Sequence, residues 1–436
     1  MNIFPSPEQR LFPLQFYADM RHNNPVAYDD RNNVWAVFRY YDIQSILGDY
    51  THLSSAPSPT IKRKRRTVGT TPSLLRSDPP YHRTLRAVVA SAFTPMTISK
   101  LEPRIESITH DLLNQVIERW NMNLINDLAF PLPVSVIAEL LGVPLEDRDT
   151  FHVWGDKLVS STDSLFSQDT DDSLDLQSEM DDYFNTIIDK RTTSPQSDLI
   201  SSLIKTEADG HHLSREEILA FCSLLLIAGH ETTVNLIGNM ILSLLQNPQE
   251  FKKLKEDRSS SSPPSLISST IEETLRYRSP IQAILRTTAQ EVTIGGQKIP
   301  SGQDIIAMIG SANHDESVFP DPEKFDISRV PHGHFHIGFG HGIHFCLGAP
   351  LARLEGSIVL KIILDRLQDL ELDDRKKETI KQLPSFVFIY RSYSGNKRLK
   401  FRIGDLYTQL SPQSMPIDIS QIYIISNNCS NISKPV

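Results

Sequence analysis

The chain is 436 residues long, 39% hydrophobic and 22% charged, enough apolar material for a sizeable core in an ordinary globular protein. Its net charge of −9 excludes general nucleic-acid binding, which needs a basic surface to neutralise phosphates. Three scattered cysteines, Cys222, Cys346 and Cys429, exclude a disulfide framework, and the opening MNIFPSPEQR shows no signal-peptide pattern, so a reducing, cytoplasmic setting is expected.

The length alone would allow two or three domains, but no Gly/Ser-rich or Pro-rich linker divides the chain. In chain order, the alternation at 34–38 predicts a small sheet beside short helices within residues 1–60. Residues 54–80 read as a loop carrying the basic run Lys62–Arg66. Leu85, Val88, Val89 and Phe93 then fall at helical spacing, and Pro95 interrupts them. Further helices are predicted over 101–120, 133–141 and 175–191. Ser214-Arg-Glu-Glu217 has capping-box spacing and opens a helix to about Gln246, long for a globular domain. Its apolar stretch, Ile218 to Ala228, falls short of the ~20 residues of a membrane span and is expected to be core. A helix over 266–277, a hairpin turn at Gly295-Gly296, a long loop to Cys346 and a helix over 350–368 follow. The balance is mainly helical with a small β region. Residues 1–403 are expected to form one domain, and 404–436, rich in Ser, Asn and Gln, an extension outside its core.

Glycines at 338, 340, 342 and 348 surround Cys346 and let the backbone turn tightly against a flat ligand. Cys346 immediately precedes a helix whose Pro350 suits its first turn. A helix N-terminus lowers a thiol's pKa, and amides such as those of Leu347 and Gly348 could donate to the sulfur. The site is arranged for a thiolate, as a metal ligand must be. A lone cysteine is more often a small buried hydrophobe, and the surrounding glycines and aromatics argue against that here. A zinc-type site is the rival, since His332, His334, His336, His341 and His344 lie nearby. One cysteine and alternating histidines make a poor zinc pattern.

In the long helix, Ala228 and Gly229 would let a bulky ligand approach, and Thr232 can bond a carbonyl one turn back. Glu231 in this apolar setting is costly unless solvated or functional.

The string Phe-x-x-Gly-x-His-x-Cys-x-Gly at 339–348 resembles the haem-binding loop of the cytochrome P-450 superfamily. The resemblance implies that Cys346 is the axial ligand of a haem iron, within a loop that includes Gly348. Phe339 would then pack on the thiolate side, and His344 would bond a haem propionate. Ala228-Gly-His-Glu-Thr232 resembles the family's oxygen-activation motif, with Ala228 and Gly229 against the cofactor and Glu231 and Thr232 delivering protons. Asp78-Pro-Pro-Tyr-His-Arg-Thr-Leu-Arg86 resembles a helix start that gives His82 and Arg86 to one propionate, with Arg286 for the other. Glu273, Arg276 and Arg329 resemble the family's buried structural set. Leu74, Leu75, Ile227, Ile281, Ile284, Val387 and Phe388 would line an apolar substrate pocket, with Lys62–Arg66 as a carboxylate anchor at its mouth.

The implied fold is a triangular helical prism with a long central helix. The implied protein is a bacterial soluble haem-thiolate monooxygenase without a membrane anchor, holding haem b and using dioxygen. It would hydroxylate a fatty acid, terpenoid or steroid. Electrons would come from a ferredoxin or flavodoxin with an NAD(P)H-dependent reductase, steered to the Cys346 side by Arg83 and Arg353. A peroxide-driven peroxygenase on the same haem is the competing reading, and a non-catalytic His/Cys metal-binding protein is a further one.

Overall fold

The computed structural model describes residues 13–56, 73–147, 171–208, 211–257, 266–329, 335–372 and 398–403, with Ile3–Ser6, Gln9 and scattered residues of 150–157. The Lys62–Arg66 run, His332, His334, Val387, Phe388 and the 404–436 extension lie outside the described residues.

The N-terminal part alternates helices and short strands: α1 (Leu14–Asn23), β1 (Val26–Asp29), β2 (Val34–Val37), α2 (Tyr40–Gly48) and β3 (Leu53–Ser54). Helices α3 (Tyr81–Ala92), α4 (Pro95–Ser99) and α5 (Glu102–Ile117) follow, then β4 (Asn121–Asn123) and α6 (Pro131–Leu140). Next come α7 (Asp171–Thr193), α8 (Leu199–Lys205), the short pair β5 (Glu207–Ala208) and β6 (His211–His212), and the long helix α9 (Arg215–Gln246). After α10 (Pro248–Asp257) and α11 (Leu266–Tyr277) the chain forms β7 (Ile284–Thr288), the hairpin β8 (Val292–Ile294) and β9 (Gln297–Ile299), and β10 (Asp304–Ala307). The turn α12 (Ile309–Ala312), the helix α13 (Ala349–Arg366), β11 (Leu367–Leu372) and β12 (Arg398–Ile403) complete it.

The predicted capping box is present. Glu217 N donates to Ser214 Oγ at 3.2 Å, and Ser214 N donates to the Glu217 carboxylate at 2.7 Å. These two bonds satisfy amides that the first turn of α9 would otherwise leave open. By length and composition α9 could cross a bilayer. Its Leu226, Leu236, Ile237, Met240 and Ile241 are buried in the main core, as expected of a core helix. It packs on α6, α7, α11 and α13.

A second core lies under the five-stranded sheet, whose order is β1-β2-β10-β7-β3. Strand β10 runs parallel to β2, with Asp304 opposite Val34, and antiparallel to β7, with Ile305 opposite Arg286. The register places Arg286 next to Leu285 and Thr287 at the middle of β7, one side of the site described below. Strands β11, β12 and β4 form a separate sheet. Gly295 and Gly296 take the left-handed turn of the β8–β9 hairpin, as predicted.

Glu273 and Arg276 form a two-pronged pair at 2.8 Å in each arm, 4% and 2% exposed. Arg329 Nε joins them at 3.1 Å from Glu273, so the three residues grouped from sequence meet as one cluster. Arg276 also donates to the carbonyls of Asn313, Pro322 and Lys324, fixing the loop before the cysteine segment to α11. Every prong of the buried guanidinium is therefore matched, the condition for tolerating a charge in the core.

His314 lies in the same buried layer, its Nδ1 bonded to the Gly310 carbonyl at 2.9 Å. Burial, aided by the Arg276 charge, drives its pKa down to about 3. Above pH 6.5 the ring is neutral in both folded and unfolded chains, so it costs nothing there. Between about pH 6.5 and 3 the unfolded chain takes up a proton that the folded chain refuses, and stability falls. A His314→Phe variant is expected to lose up to about 1.4 kcal/mol per pH unit of that acid sensitivity. Unfolding midpoints of both proteins at pH 7 and pH 5 check this.

Candidate active site

Cys346 sits where a tight loop meets the start of α13. Its amide donates to the Phe339 carbonyl at 2.9 Å, closing residues 339–346 on themselves. Gly340 and Gly342 take φ of 75° and 70°, and a Cβ at Gly342 would meet the Leu47 carbonyl oxygen at 2.6 Å. The loop is thus pressed against the end of α2 at a contact only glycine permits.

The amides of Gly348 and Ala349 hydrogen-bond the Cys346 sulfur. Sequence reasoning named Leu347 and Gly348, so the pair is shifted by one residue. Cys346 is half-buried. Burial pushes the thiol up, and the two amides together with Arg86 and Arg353 only partly reverse this. The lowered pKa expected from a helix N-terminus is therefore corrected: burial outweighs the local effect. A bound metal cation removes such a proton outright.

Beside the loop, four donor groups converge. Arg86 from α3 donates to the Phe345 carbonyl at 2.7 Å, and its charge is felt by Cys346. The rings of His82, from the start of α3, and His344, from the cysteine loop, stand 4.2 Å apart. Arg286, 7% exposed on β7, donates to the adjacent Leu285 carbonyl at 2.8 Å. The acid that acts on this group is Asp78, which accepts from Ser54 Oγ and from the Ser55 amide at 2.9 Å. His82 Nε2 and His344 Nε2 are buried without hydrogen-bond partners. Burial lowers the Arg286 pKa to about 10 against the pull of Asp78. Burial, then His82 and Arg286, drive His344 down to about 3. Buried donors lacking acceptors are expensive, and anionic oxygens would satisfy them. The four residues named from sequence are brought together.

Helix α9 supplies the other wall. Ala228 is exposed midway along this helix, and Ile227 and Thr232 are half-buried on either side of it. Thr232 Oγ1 donates to the Ala228 carbonyl at 2.7 Å, the back-bond anticipated from sequence. Glu231 is buried. His230 packs edge-on against Phe130 at 4.3 Å. Gly229 faces α6. A Cβ there would meet Ile137 Cδ1 at 2.8 Å, so its missing side chain serves the packing of α9 on α6.

Two features escaped sequence reasoning. Glu355 of α13 is fully buried, hydrogen-bonded to Thr233, and burial pushes its pKa up to about 8. Glu272 binds Arg353 and His336 behind Phe339. Neither belongs to a motif with fixed spacing, which is why pattern reading passes over them. Among the apolar residues named for the pocket, Leu74, Ile227, Ile281 and Ile284 are half-buried, whereas Leu75 is 58% exposed. Ile284 reaches to 3.9 Å from a Cβ built on Gly340, so β7 borders the cysteine loop. Leu74 lines a small cavity with Leu85, Val89, Leu213 and Phe221.

The sequence model of the family described as Cytochrome P450 matches residues 27–394. The chain is 39% identical over 405 residues to Cytochrome P450 109 of Bacillus spizizenii, covering 91% of this chain and 93% of that one. The chain belongs to the cytochrome P450 family. It is 41% identical over 363 residues to the vitamin D(3) 25-hydroxylase of Pseudonocardia autotrophica, covering 81% of this chain and 86% of the relative. The solved structure of CYP109E1 from Bacillus megaterium in complex with testosterone matches with a TM-score of 0.76 at 37% identity, over 90% of this chain and 98% of that one. The chain is accordingly a P450 monooxygenase, with haem iron as cofactor, dioxygen as oxidant, a redox partner and a small-molecule substrate.

The residues present fit haem. A thiol with two sulfur-directed amides adjoins two buried imidazole nitrogens without partners and two guanidinium groups, which matches an iron carried by a ring with two carboxylates. An Arg286→Leu variant is expected to release haem to a scavenging apoprotein about tenfold faster or more, the loss of a charged hydrogen bond being worth ~1.5–3 kcal/mol. The half-time of that transfer, followed by absorbance, is the measurement.

Proposed function

We propose that Cys346 is the axial ligand of haem b and that the protein hydroxylates an apolar small molecule at an unactivated C–H bond. The observation that carries this reading is the junction at Arg86: one side chain bonds the cysteine loop at Phe345 and acts on the sulfur, while its helix presents His82 to His344. Ligand thiol and carboxylate-binding group thus form one site. His82, Arg86, Arg286 and His344 hold the propionates, with Phe339, Gly348 and Ala228 against the ring. Glu273, Arg276 and Arg329 hold the fold beneath it.

Haem iron, when bound, supplies the centre at which dioxygen is activated for insertion into the substrate. The chain's own residues handle protons and position. Because the Thr232 hydroxyl proton is engaged by the Ala228 carbonyl, its oxygen presents lone pairs to the site and accepts a hydrogen bond there. Glu231, the neighbouring buried carboxyl, is the proton donor to that position. Ile227, Ile281, Ile284 and Leu74 line the substrate space, and their apolar surface suits a fatty acid, terpenoid or steroid. The steroid class is supported further by the relative named as a vitamin D(3) hydroxylase and by the neighbour solved with testosterone. Electrons arrive from a ferredoxin or flavodoxin with an NAD(P)H-dependent reductase, and the setting is the cytoplasm.

A Thr232→Ala variant tests the reading, with a substrate chosen by the spin-state shift it induces. Product formation driven by reductase and dioxygen is expected to fall by on the order of tenfold or more, the scale of a lost proton-transfer group. Product formation driven by added peroxide, which brings its own protons, is expected to survive. Equal loss in both assays, or in neither, contradicts the assignment.

A further inference from the structure

Glu272 on α11 and Arg353 on α13 stand 81 residues apart in sequence and meet directly behind the cysteine loop. Arg353 Nε and Nη2 donate to the two Glu272 oxygens at 2.7 and 2.9 Å. His336 Nδ1 accepts the Gly338 amide at 3.1 Å, so its hydrogen lies on Nε2, which donates to Glu272 at 3.0 Å. The Arg353 guanidinium lies 4.6 Å from the Phe339 ring centroid, and the His336 ring 5.9 Å from it. Phe339 in turn accepts the Cys346 amide. One acid therefore fixes two groups that pack on the Phe339 ring, whose residue is bonded to the Cys346 amide.

The charges reinforce that geometry. Burial pushes Glu272 up, but the hydrogen bonds and charges of Arg353 and His336 more than reverse this and hold it at about 2. It is an anion at any working pH. Arg353 favours the thiolate form of Cys346 and is itself raised by Glu272. The same cation is thus shared between a carboxylate and the sulfur. Sequence reasoning gave Arg353 to the docking of an electron donor, whereas two of its donor nitrogens are committed to Glu272.

We infer that Glu272 is a positioning residue that locks Arg353 against Phe339 and offsets the charge Arg353 presents to the Cys346 thiolate, and so sets the haem reduction potential. This rests on the reading of Cys346 as the iron ligand. Reduction adds one electron, so a nearby cation favours it and a nearby anion opposes it. Glu272→Gln keeps the shape and removes the anion, which moves the potential up. Arg353→Gln removes the cation and leaves Glu272 uncompensated, which moves it down. Both side chains are partly exposed, at 35% and 38%, so solvent trims the effect. Each shift is expected to be about three- to tenfold in the reduction equilibrium, roughly 28–59 mV for one electron.

Redox titration of the haem-loaded full chain and its variants tests this, alongside the carbon monoxide difference spectrum of each. Opposite shifts for Glu272→Gln and Arg353→Gln, with the thiolate-type band retained, are the expected result. Arg353→Lys, which keeps the charge but not the fork, is expected to stay near the wild-type potential. Shifts in the same direction, no shift, or loss of the thiolate band in the glutamine variants overturns the inference and leaves the cluster a structural brace. If the wild-type protein itself lacks a thiolate-type band, the reading of Cys346 fails instead, which the spectrum shows separately.

Discussion

Burial raises the Cys346 thiol, while two amides and two cations directed at the sulfur pull the other way. Burial and those partners act in opposite senses on the same atom. Burial protects a thiolate–metal bond from water, and the amides of Gly348 and Ala349 limit the charge the sulfur can push outward. The loop sits against the end of α2 because Gly342 approaches Leu47 with no side chain between them. In turn, the position of that loop relative to α11 depends on the Glu273–Arg276–Arg329 cluster and its carbonyl partners. The structure around the proposed ligand is therefore a chain of contacts, each fixing the next.

The proposed site joins opposing demands on one cofactor. On the loop side the protein offers buried donors with few acceptors, which favours carboxylates. On the α9 side it offers a small residue, a hydroxyl turned into its own helix, and a buried acid. Thr233, next in the helix, ties this wall to α13 through Glu355, so the helix carrying the oxygen-side residues and the helix following the cysteine are fastened together. Geometry at one wall is thereby carried to the other.

Local chemistry was the most legible part of the sequence. The capping box that opens α9, the glycine hairpin at 295–296 and the helix over 266–277 all rest on interactions within a few residues, and the structure bears them out. His82, Arg86, Arg286 and His344 were grouped through the family resemblance, and they do converge. That Gly229 also makes room for Ile137 was not legible, because a sequence does not reveal which neighbour a helical glycine faces. The Cys346 thiol was given the wrong direction for a related reason: the helix start is local, whereas burial is a property of the assembled fold. Glu272 with Arg353, and Glu355 with Thr233, were invisible because each partnership joins segments far apart in the chain.

Ligation of the haem iron by the Cys346 thiolate is read from the carbon monoxide difference spectrum of the reduced protein. The wild-type protein is predicted to give the thiolate-type band, and Cys346→His to replace it with an imidazole-type band while still binding haem. An imidazole-type band in the wild-type protein, or a thiolate-type band that survives in Cys346→His, would contradict it.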